Sequence, residues 1–428
     1  MKVLVSAVRI GMLAVAALPA AALAAQPGLQ VAGIAVEFLL FAAVLGGIAV
    51  SHRHALGIAL TGLAVVALYK LAVTGFETGP GLAGLVGHVQ REWVTLTNLL
   101  GLITGFALLA NHFDRSRLPE LLPRYLPDDW KGAFVLLALV FVLSSFLDNI
   151  AAALIGGTIA NAVFRGKLHV GYLAAIVAAS NAGGSGSVVG DTTTTMMWIH
   201  GVSPLGVLHA YVAAGVALLV FGVPAAIQQQ RFAPIVKDAP VHVRIDYGRL
   251  VVVGLVLVGA IGTNVVVNSQ WPEHAEAFPW IGAAVWLALL LTASLRRPHY
   301  ALLPESARTS VFLLSLVLIA SLMPVHQLPP ASWPSTLVLG AVSAVFDNIP
   351  LTALALHQGG YDWGVLAYAV GFGGSMIWFG SSAGVALCTV FPQGRSVLAW
   401  LRGGWHVALA YVIGFAALLL TLGWDPGG

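Results

Sequence analysis

Long apolar segments recur along this chain, and they constrain its fold more than any other feature. They lie near 31–50, 55–74, 94–110, 204–226, 250–268, 280–295, 309–324 and 404–423. A helix needs about 20 apolar residues to cross a bilayer. Charged residues make up only 9% of the sequence, against roughly 25% in soluble domains. The sequence therefore predicts an all-α polytopic membrane protein, with membrane lipid as its surroundings.

The distribution of charge and cysteine excludes several other classes of protein. The net charge is +3, and the lysines and arginines lie between the apolar segments rather than in one patch, which argues against nucleic acid as a partner. The single cysteine, Cys388, excludes an internal disulfide and a thiolate metal cluster and is expected to pack in an apolar stretch. Residues 1–25 resemble an export signal, which is either cleaved or retained as a first helix.

Basic loops predict which side of the membrane each segment faces. Lys and Arg concentrate in 111–131, 227–249, 296–308 and 395–402, whereas 269–279, 325–335 and 357–363 contain neither. Basic loops remain in the cytoplasm, so the second group is assigned to the outside. We expect the protein to be a multi-pass protein of the inner (plasma) membrane.

Two apolar regions are interrupted at matching places, and they predict an internal repeat. We expect 132–164 to be a re-entrant hairpin that enters from the cytoplasm and turns at Asp148, followed by a helix broken around 181–191. The second region turns at Asp347, enters from the outside, and is followed by a helix broken around 371–384. The chain then forms two inverted repeats, 31–226 and 250–423, joined by a cytoplasmic linker, 227–249. About ten transmembrane helices, two re-entrant hairpins and two broken helices result, an organisation typical of secondary transporters.

The hairpin turns carry the first candidate site residues. Each turn places an aspartate and an asparagine inside an apolar region: Asp148 with Asn149, and Asp347 with Asn348. An aspartate at the bilayer centre costs roughly 2.5–3.5 kcal/mol, which favours a functional role. The alternative is that these residues only cap half-helices.

The helix breaks carry the second set. Their glycines permit backbone conformations that a helix forbids, although close helix packing is the alternative. The carbonyls exposed at a break, with neighbouring side-chain oxygens, suit a hard alkali cation, unless the hydroxyls only bond their own backbone. The side chains expected to bind ion or substrate here are Asn181, Asp191, Thr192, Ser381 and Ser382, and the break glycines are Gly183, Gly184, Gly190, Gly373, Gly374 and Gly380.

Among other membrane-embedded polar residues, Glu37 is expected to lie deep in its span, Lys70 to reach the interface and His406 to lie at the interface.

Four motifs, FLDNIAAAL, NAGG…GDTTTTMMWI, SAVFDNIPLTAL and FGSSAGVAL, resemble those of the NhaD-type sodium/proton antiporters. These belong to the ion transporter superfamily, which also holds arsenite permeases and citrate and dicarboxylate transporters. The resemblance covers about 132–423 and implies bound ions near the hairpin tips, no cofactor and a homodimer. By matched position it carries over Asp148, Asn149, Asn181, Asp191, Asp347, Asn348 and Ser381. One departure is the stretch 185–189, where such antiporters usually have an aromatic residue and a proline.

The leading hypothesis is therefore exchange of a monovalent cation, Na⁺ or Li⁺, for protons. Asp148 and Asp347 are predicted to bind the cation or protons, and Asp191 to coordinate or orient the cation. The alternatives are a sodium- or proton-coupled permease for a carboxylate or arsenite, and an intramembrane enzyme with Asp148 and Asp347 as a catalytic dyad. The absence of lysine and arginine from the hairpin tips and breaks argues against the anion permease.

Overall fold

The computed structural model describes residues 29–51, 54–236, 244–271, 274 and 277–426, so the signal-like segment 1–25 lies outside it. The described chain is almost entirely helical, with one short antiparallel pair, β1 (Gln30–Val31) and β2 (Ile34–Ala35). This confirms the predicted all-α polytopic membrane fold. In a bilayer every backbone polar group needs an internal partner, and helices supply one within each segment.

The first half contains ten helices up to the linker. Their bounds are α1 (Val36–Val50), α2 (Ala55–Tyr69), α3 (Gly81–Arg115), α4 (Leu122–Tyr125), α5 (Trp130–Ser144), α6 (Asn149–Val163), α7 (Val170–Ser185), α8 (Thr192–Ile199), α9 (Pro204–Leu208) and α10 (Ala210–Phe232). A π-helical turn, Lys70–Thr74, continues α2.

The second half repeats this order with different lengths. Its helices are α11 (Tyr247–Gln270), α12 (Trp280–Thr292), α13 (Leu303–Ser321), α14 (Trp333–Ser343), α15 (Asn348–Gln358), α16 (Trp363–Gly373), α17 (Ser382–Val390), α18 (Val397–Gly403) and α19 (Trp405–Leu422). Each half thus has three apolar helices, a pair joined at an Asp-Asn turn, an interrupted helix and a final long helix.

Six stretches of the described chain are long and apolar enough to span a membrane. They are Ala55–Thr74, Gly81–Arg115, Pro204–Phe232, Tyr247–Val267, Tyr300–Ser321 and Trp405–Leu422. The apolar helices Val36–Val50 and Trp280–Thr292 are shorter, with 15 and 13 residues. These lengths fall below the usual 20 residues of a transmembrane helix. We expect the two helices to span the membrane because the surrounding helices shield their ends.

The helices around the two interruptions pack in matching pairs across the two halves. Within each half, the first hairpin helix packs on the first segment of the interrupted helix: α5 on α7 and α14 on α16. Across the halves, α6 contacts α17 and α15 contacts α8. The first segments α7 and α16 also contact each other, as do the last helices α10 and α19. The core of the protein therefore lies where the two hairpins and the two interrupted helices meet.

Glycines allow these helices to approach within backbone contact. A Cβ atom on Gly183 would overlap the carbonyl oxygen of Phe141, and one on Gly373 would overlap that of Gly340. Gly190 and Gly380 meet the carbonyls of the hairpin turns in the same way. None of the six break glycines has a positive φ. Gly190, Gly374 and Gly380 lie outside the helices, as expected for the breaks, whereas Gly183, Gly184 and Gly373 are helical. The close contacts are what the packing alternative expects of these glycines.

This packing predicts a large effect of a single methyl group. Gly183→Ala and Gly373→Ala should each destabilise the protein by about 1–3 kcal/mol, because a backbone carbonyl cannot move aside as a side chain can. Gly215→Ala is the control, since a Cβ atom there would meet nothing within 4 Å. The melting temperatures of the purified variants in detergent measure the difference. Equal melting temperatures for all three variants would contradict the packing argument.

Candidate functional site

The two hairpin turns place their aspartates at the beginning of a helix. Asp148 precedes α6 and Asp347 precedes α15, and both are partly exposed. Asp347 accepts a hydrogen bond from the backbone N–H of Ile349 at 3.0 Å and one from Ser382 Oγ at 3.1 Å. The Asp148 side chain makes no such capping hydrogen bond. The positive end of the helix dipole stabilises a carboxylate at either place, but only Asp347 is a hydrogen-bonded cap.

The helix interruptions are shorter than the sequence predicts. In the first half α7 ends at Ser185 and α8 begins at Thr192, and in the second α16 ends at Gly373 and α17 begins at Ser382. Asn181, Gly183 and Gly184 are therefore helical rather than part of the break. Asp191 and Ser381 cap the helices that follow, each accepting a backbone N–H bond at 3.3 Å.

Side chains donate hydrogen bonds to several backbone carbonyls of the interrupted regions. Thr194 donates to the carbonyl of Ser187 at 2.6 Å, and Thr195 donates to that of Val188 at 2.9 Å. In the second half the Trp400 indole donates to the Ser375 carbonyl at 3.1 Å. These carbonyls each accept at least one hydrogen bond from a side chain. Thr194 also donates to the carbonyl of Asp191, three positions earlier, at 2.9 Å, as the alternative of bonding to its own backbone expects.

Asn181 joins the two halves through a buried network. Its Oδ1 accepts from Asn149 Nδ2 at 3.2 Å, and its Nδ2 donates to Ser375 Oγ at 2.9 Å and Ser381 Oγ at 3.1 Å. Asn149 thus lies 32 positions from Asn181 in the sequence, and Ser375 and Ser381 lie 194 and 200 positions from it. The structure brings together the asparagines of the first half and the serines of the second, as one connected set. Asn348 is 2% exposed and its Nδ2 has no partner.

Asp191 lies at the centre of the acidic groups. It is 2% exposed; its Oδ1 accepts the Thr193 N–H, whereas its Oδ2 has no hydrogen-bond partner. Asp191 interacts electrostatically with Asp148 and with Asp347. The three carboxylates do not converge on one point, because no three acidic, histidine or cysteine side chains of the described residues are close enough to share a metal ion. A cation held here would therefore bind one or two carboxylates and complete its shell with neutral oxygens.

Asp148 and Asp191 line one cavity of about 250 Å³. Thr192 and Thr195 of α8 contribute hydroxyls, and the opposite walls come from α3, between Leu99 and Ala110, and from α13. Among the described residues no lysine or arginine lines this cavity, and Asp347 does not line it either. Two carboxylates therefore face a space large enough for a partly hydrated cation.

A wider cavity of about 910 Å³ adjoins the first and shares four of its lining residues, Ala107, Ala110, Ala151 and Leu154. Its outer wall includes Arg117 and Glu120, whose side chains are about half exposed and form an ion pair at 2.8 Å. The acidic pair is thereby reached from the side of the basic loop 111–131.

Two other polar residues of the apolar spans are buried in the protein, and the cavity has walls that the sequence did not indicate. Lys70, expected at the interface, is 8% exposed and interacts electrostatically with the buried Glu37. His406, also expected at the interface, is 1% exposed. The cavity walls on α3 and the α13 residues Ser306 and Thr309 were not expected, although polar residues inside an apolar span were a usable signal.

Chemically, the two carboxylates of this cavity can bind either a proton or a small cation. Two ionised carboxylates in an apolar cavity repel each other, and a proton or a small cation relieves that repulsion. Carboxylate and hydroxyl oxygens are the ligands that hard cations prefer.

Comparisons with known proteins point to relatives of one kind. No family model matches the sequence. The chain is 27% identical over 335 aligned positions, 68% of its length, to sodium/proton antiporter 1 of Arabidopsis thaliana. It is 25% identical over 392 positions, 80% of its length, to sodium/proton antiporter 2 of the same plant. The matched regions cover 54% of the first relative and 89% of the second, so the chain spans about half the length of the first. The protein is thus distantly similar to two plant membrane transporters whose names describe sodium/proton exchange.

Proposed function

We propose that this protein is a secondary active transporter that exchanges Na⁺ or Li⁺ for protons. The observation that carries the proposal is the buried Asp191 carboxylate, whose Oδ2 has no partner and which shares a cavity with Asp148. A buried carboxylate without a partner is costly unless it is protonated or binds a cation. The two relatives named as sodium/proton antiporters support the same coarse function.

Exchange follows from competition for the same oxygens. When Asp148 and Asp191 are both ionised, their mutual repulsion favours capture of one cation. When protons bind, the negative charge that holds the cation is removed and the cation leaves. The same site must then be exposed alternately to the two sides of the membrane, because simultaneous exposure would permit leakage.

The second half has a supporting role in this mechanism. Both Asp347 oxygens already accept hydrogen bonds, from Ile349 and Ser382, which stabilise an ionised carboxylate in place. Its charge acts on Asp191 through space. The network of Asn149, Asn181 and Ser381 holds the two interrupted helices in register, so that movement of one half is transmitted to the other.

Alternating access rests on the proposed inverted repeats, 31–226 and 250–423. In our assignment the cavity next to Asp148 faces the cytoplasm, and an equivalent movement of the second half would open the outer side. We further propose that the protein resides in the inner (plasma) membrane as a homodimer.

The first prediction concerns the acids. Asp148→Asn and Asp191→Asn should each lower cation-dependent proton flux in proteoliposomes at least roughly 100-fold, since each removes a ligand charge at constant volume. Asp347→Asn should also abolish exchange, because its charge sets the field at Asp191. Glu305→Gln, an exposed carboxylate at the start of α13, is the matched control and should retain activity. Full exchange in Asp148→Asn and Asp191→Asn would refute the carboxylate mechanism.

A second prediction follows from competition. Na⁺ or Li⁺ alone, with no organic or arsenic solute, should dissipate an imposed pH gradient. The cation concentration that gives half-maximal flux should fall as the pH rises, because fewer protons compete for Asp148 and Asp191. Uptake of a dicarboxylate or arsenite, with no alkali-cation-dependent proton flux, would replace exchange with permease activity.

A third prediction tests the route of access. In a Cys388→Ala background, Ala151→Cys and Thr158→Cys should react with a membrane-impermeant thiol reagent added on the side of loop 111–131. Na⁺ should slow the reaction at Ala151, which lines both cavities, more than at Thr158, which lines only the outer one. Leu420→Cys is the control, because this exposed side chain of an apolar spanning helix should face lipid and remain unreactive. Labelling of Ala151→Cys only from the opposite side would reverse the assigned access.

A further inference from the structure

The two interrupted helices have the same spacing of polar and small residues, with one difference. In the first half Asn181 precedes the cap Asp191 by ten positions, and in the second Gly371 precedes the cap Ser381 by ten positions. The glycines between them also correspond: Gly183 with Gly373 and Gly190 with Gly380. Gly371 is therefore the counterpart of Asn181, without its amide.

These counterparts face each other crosswise. Asn181 Nδ2 donates to Ser381 Oγ at 3.1 Å, so the asparagine of the first half meets the cap of the second. In the reciprocal place, a Cβ atom on Gly371 would lie 3.4 Å from Asp191 Oδ2. The contact of Asn181 with Ser381 is thus made by an amide that bonds the opposite cap, whereas Gly371 has no side chain with which to bond Asp191.

The absence of a side chain at Gly371 explains why Asp191 Oδ2 has no hydrogen-bond partner. An asparagine at 371 could donate to this oxygen as Asn181 does to Ser381. Because glycine stands there instead, the buried oxygen remains unbonded, and a Cβ atom at position 371 would lie 3.4 Å from this oxygen and 3.4 Å from Ser185 Cβ. The space is narrow, so a single added methyl group changes it substantially.

We propose that Gly371 determines which cation Asp191 accepts, by leaving room beside Oδ2 for an ion of the size of Na⁺. This inference rests on the proposed cation exchange and adds a specificity-determining residue outside the acidic residues themselves. A side chain at 371 reduces the space at Oδ2 and disfavours larger cations more than smaller ones. Selectivity is then set by the half whose interrupted helix has a serine cap, Ser381, in place of an aspartate.

Gly371→Ala tests this directly. The Cβ contact of 3.4 Å can be accommodated by the backbone, and the methyl group adds neither a hydrogen-bond donor nor a cation ligand. The half-maximal concentrations of Na⁺ and Li⁺ are measured in proteoliposomes at one pH. We expect the ratio of Na⁺ to Li⁺ half-maximal concentrations to rise roughly tenfold, as one methyl group does in a tight pocket. Gly215→Ala, in open space on α10, should leave the ratio unchanged.

A variant of Ser185, which lies opposite Gly371, should shift the Na⁺-to-Li⁺ ratio in the opposite direction. Ser185→Gly removes the side chain that faces Gly371, so it should lower the same ratio and improve exchange of cations larger than Na⁺. If Gly371→Ala does not fold, Ser185→Gly decides the question. Binding is measured independently of transport, through the rise in melting temperature of the detergent-purified protein with NaCl and with LiCl.

The outcomes separate this inference from the proposed function. Absence of cation-dependent proton flux in the unmodified protein overturns the exchange function itself. Exchange in the unmodified protein, with an unchanged Na⁺-to-Li⁺ ratio in folded Gly371→Ala or in Ser185→Gly, overturns only the role of Gly371. Opposite shifts in the two variants support it.

Discussion

The fold depends on a constraint that applies wherever a helix is interrupted inside a membrane. Each interruption frees backbone N–H and C=O groups that have no water to bond. Here Asp191, Ser381 and Asp347 accept backbone N–H groups at the starts of the helices that follow, and Thr194 and Thr195 donate to freed carbonyls. Because helix starts need acceptors, carboxylates are concentrated where the interrupted elements meet.

Satisfying the backbone also fixes how closely the elements pack. Side-chain caps work only when hairpins and interrupted helices are in contact, and glycine at 183 and 373 lets α7 and α16 lie directly on backbone carbonyls. Such approach excludes water from the interior except at defined cavities. A carboxylate that is not fully bonded, such as Asp191, is then left with a proton or a cation as its remaining partner.

Much of this organisation could be predicted from the sequence because it is recorded in local signals. Apolar segment length predicted the helices, and the Asp-Asn pairs predicted the turns within a few residues. The limits of the breaks were less predictable: Asn181 and Gly183 remain helical, with Asn181 bonded to Asn149, Ser375 and Ser381 and Gly183 packed on the Phe141 carbonyl of α5. The burial of Lys70 could not be predicted, because it interacts with Glu37, 33 positions earlier on another helix. The cavity walls on α3 and α13 are mostly apolar, and their polar residues, Ser306 and Thr309, are distant in sequence from the acidic residues, so only packing brings them to the cavity.

The two halves share their packing glycines but not their polar residues. Gly183 and Gly190 correspond to Gly373 and Gly380, and the two hairpins and two interrupted helices meet in matching pairs. Identical polar residues in both halves would place a carboxylate at each cap and an amide opposite each carboxylate, leaving no oxygen unbonded. The chain instead has an acid cap opposite glycine and a hydroxyl cap opposite asparagine. That difference leaves the unbonded carboxylate oxygen at Asp191, so symmetric packing of the two halves coexists with an asymmetric set of polar contacts.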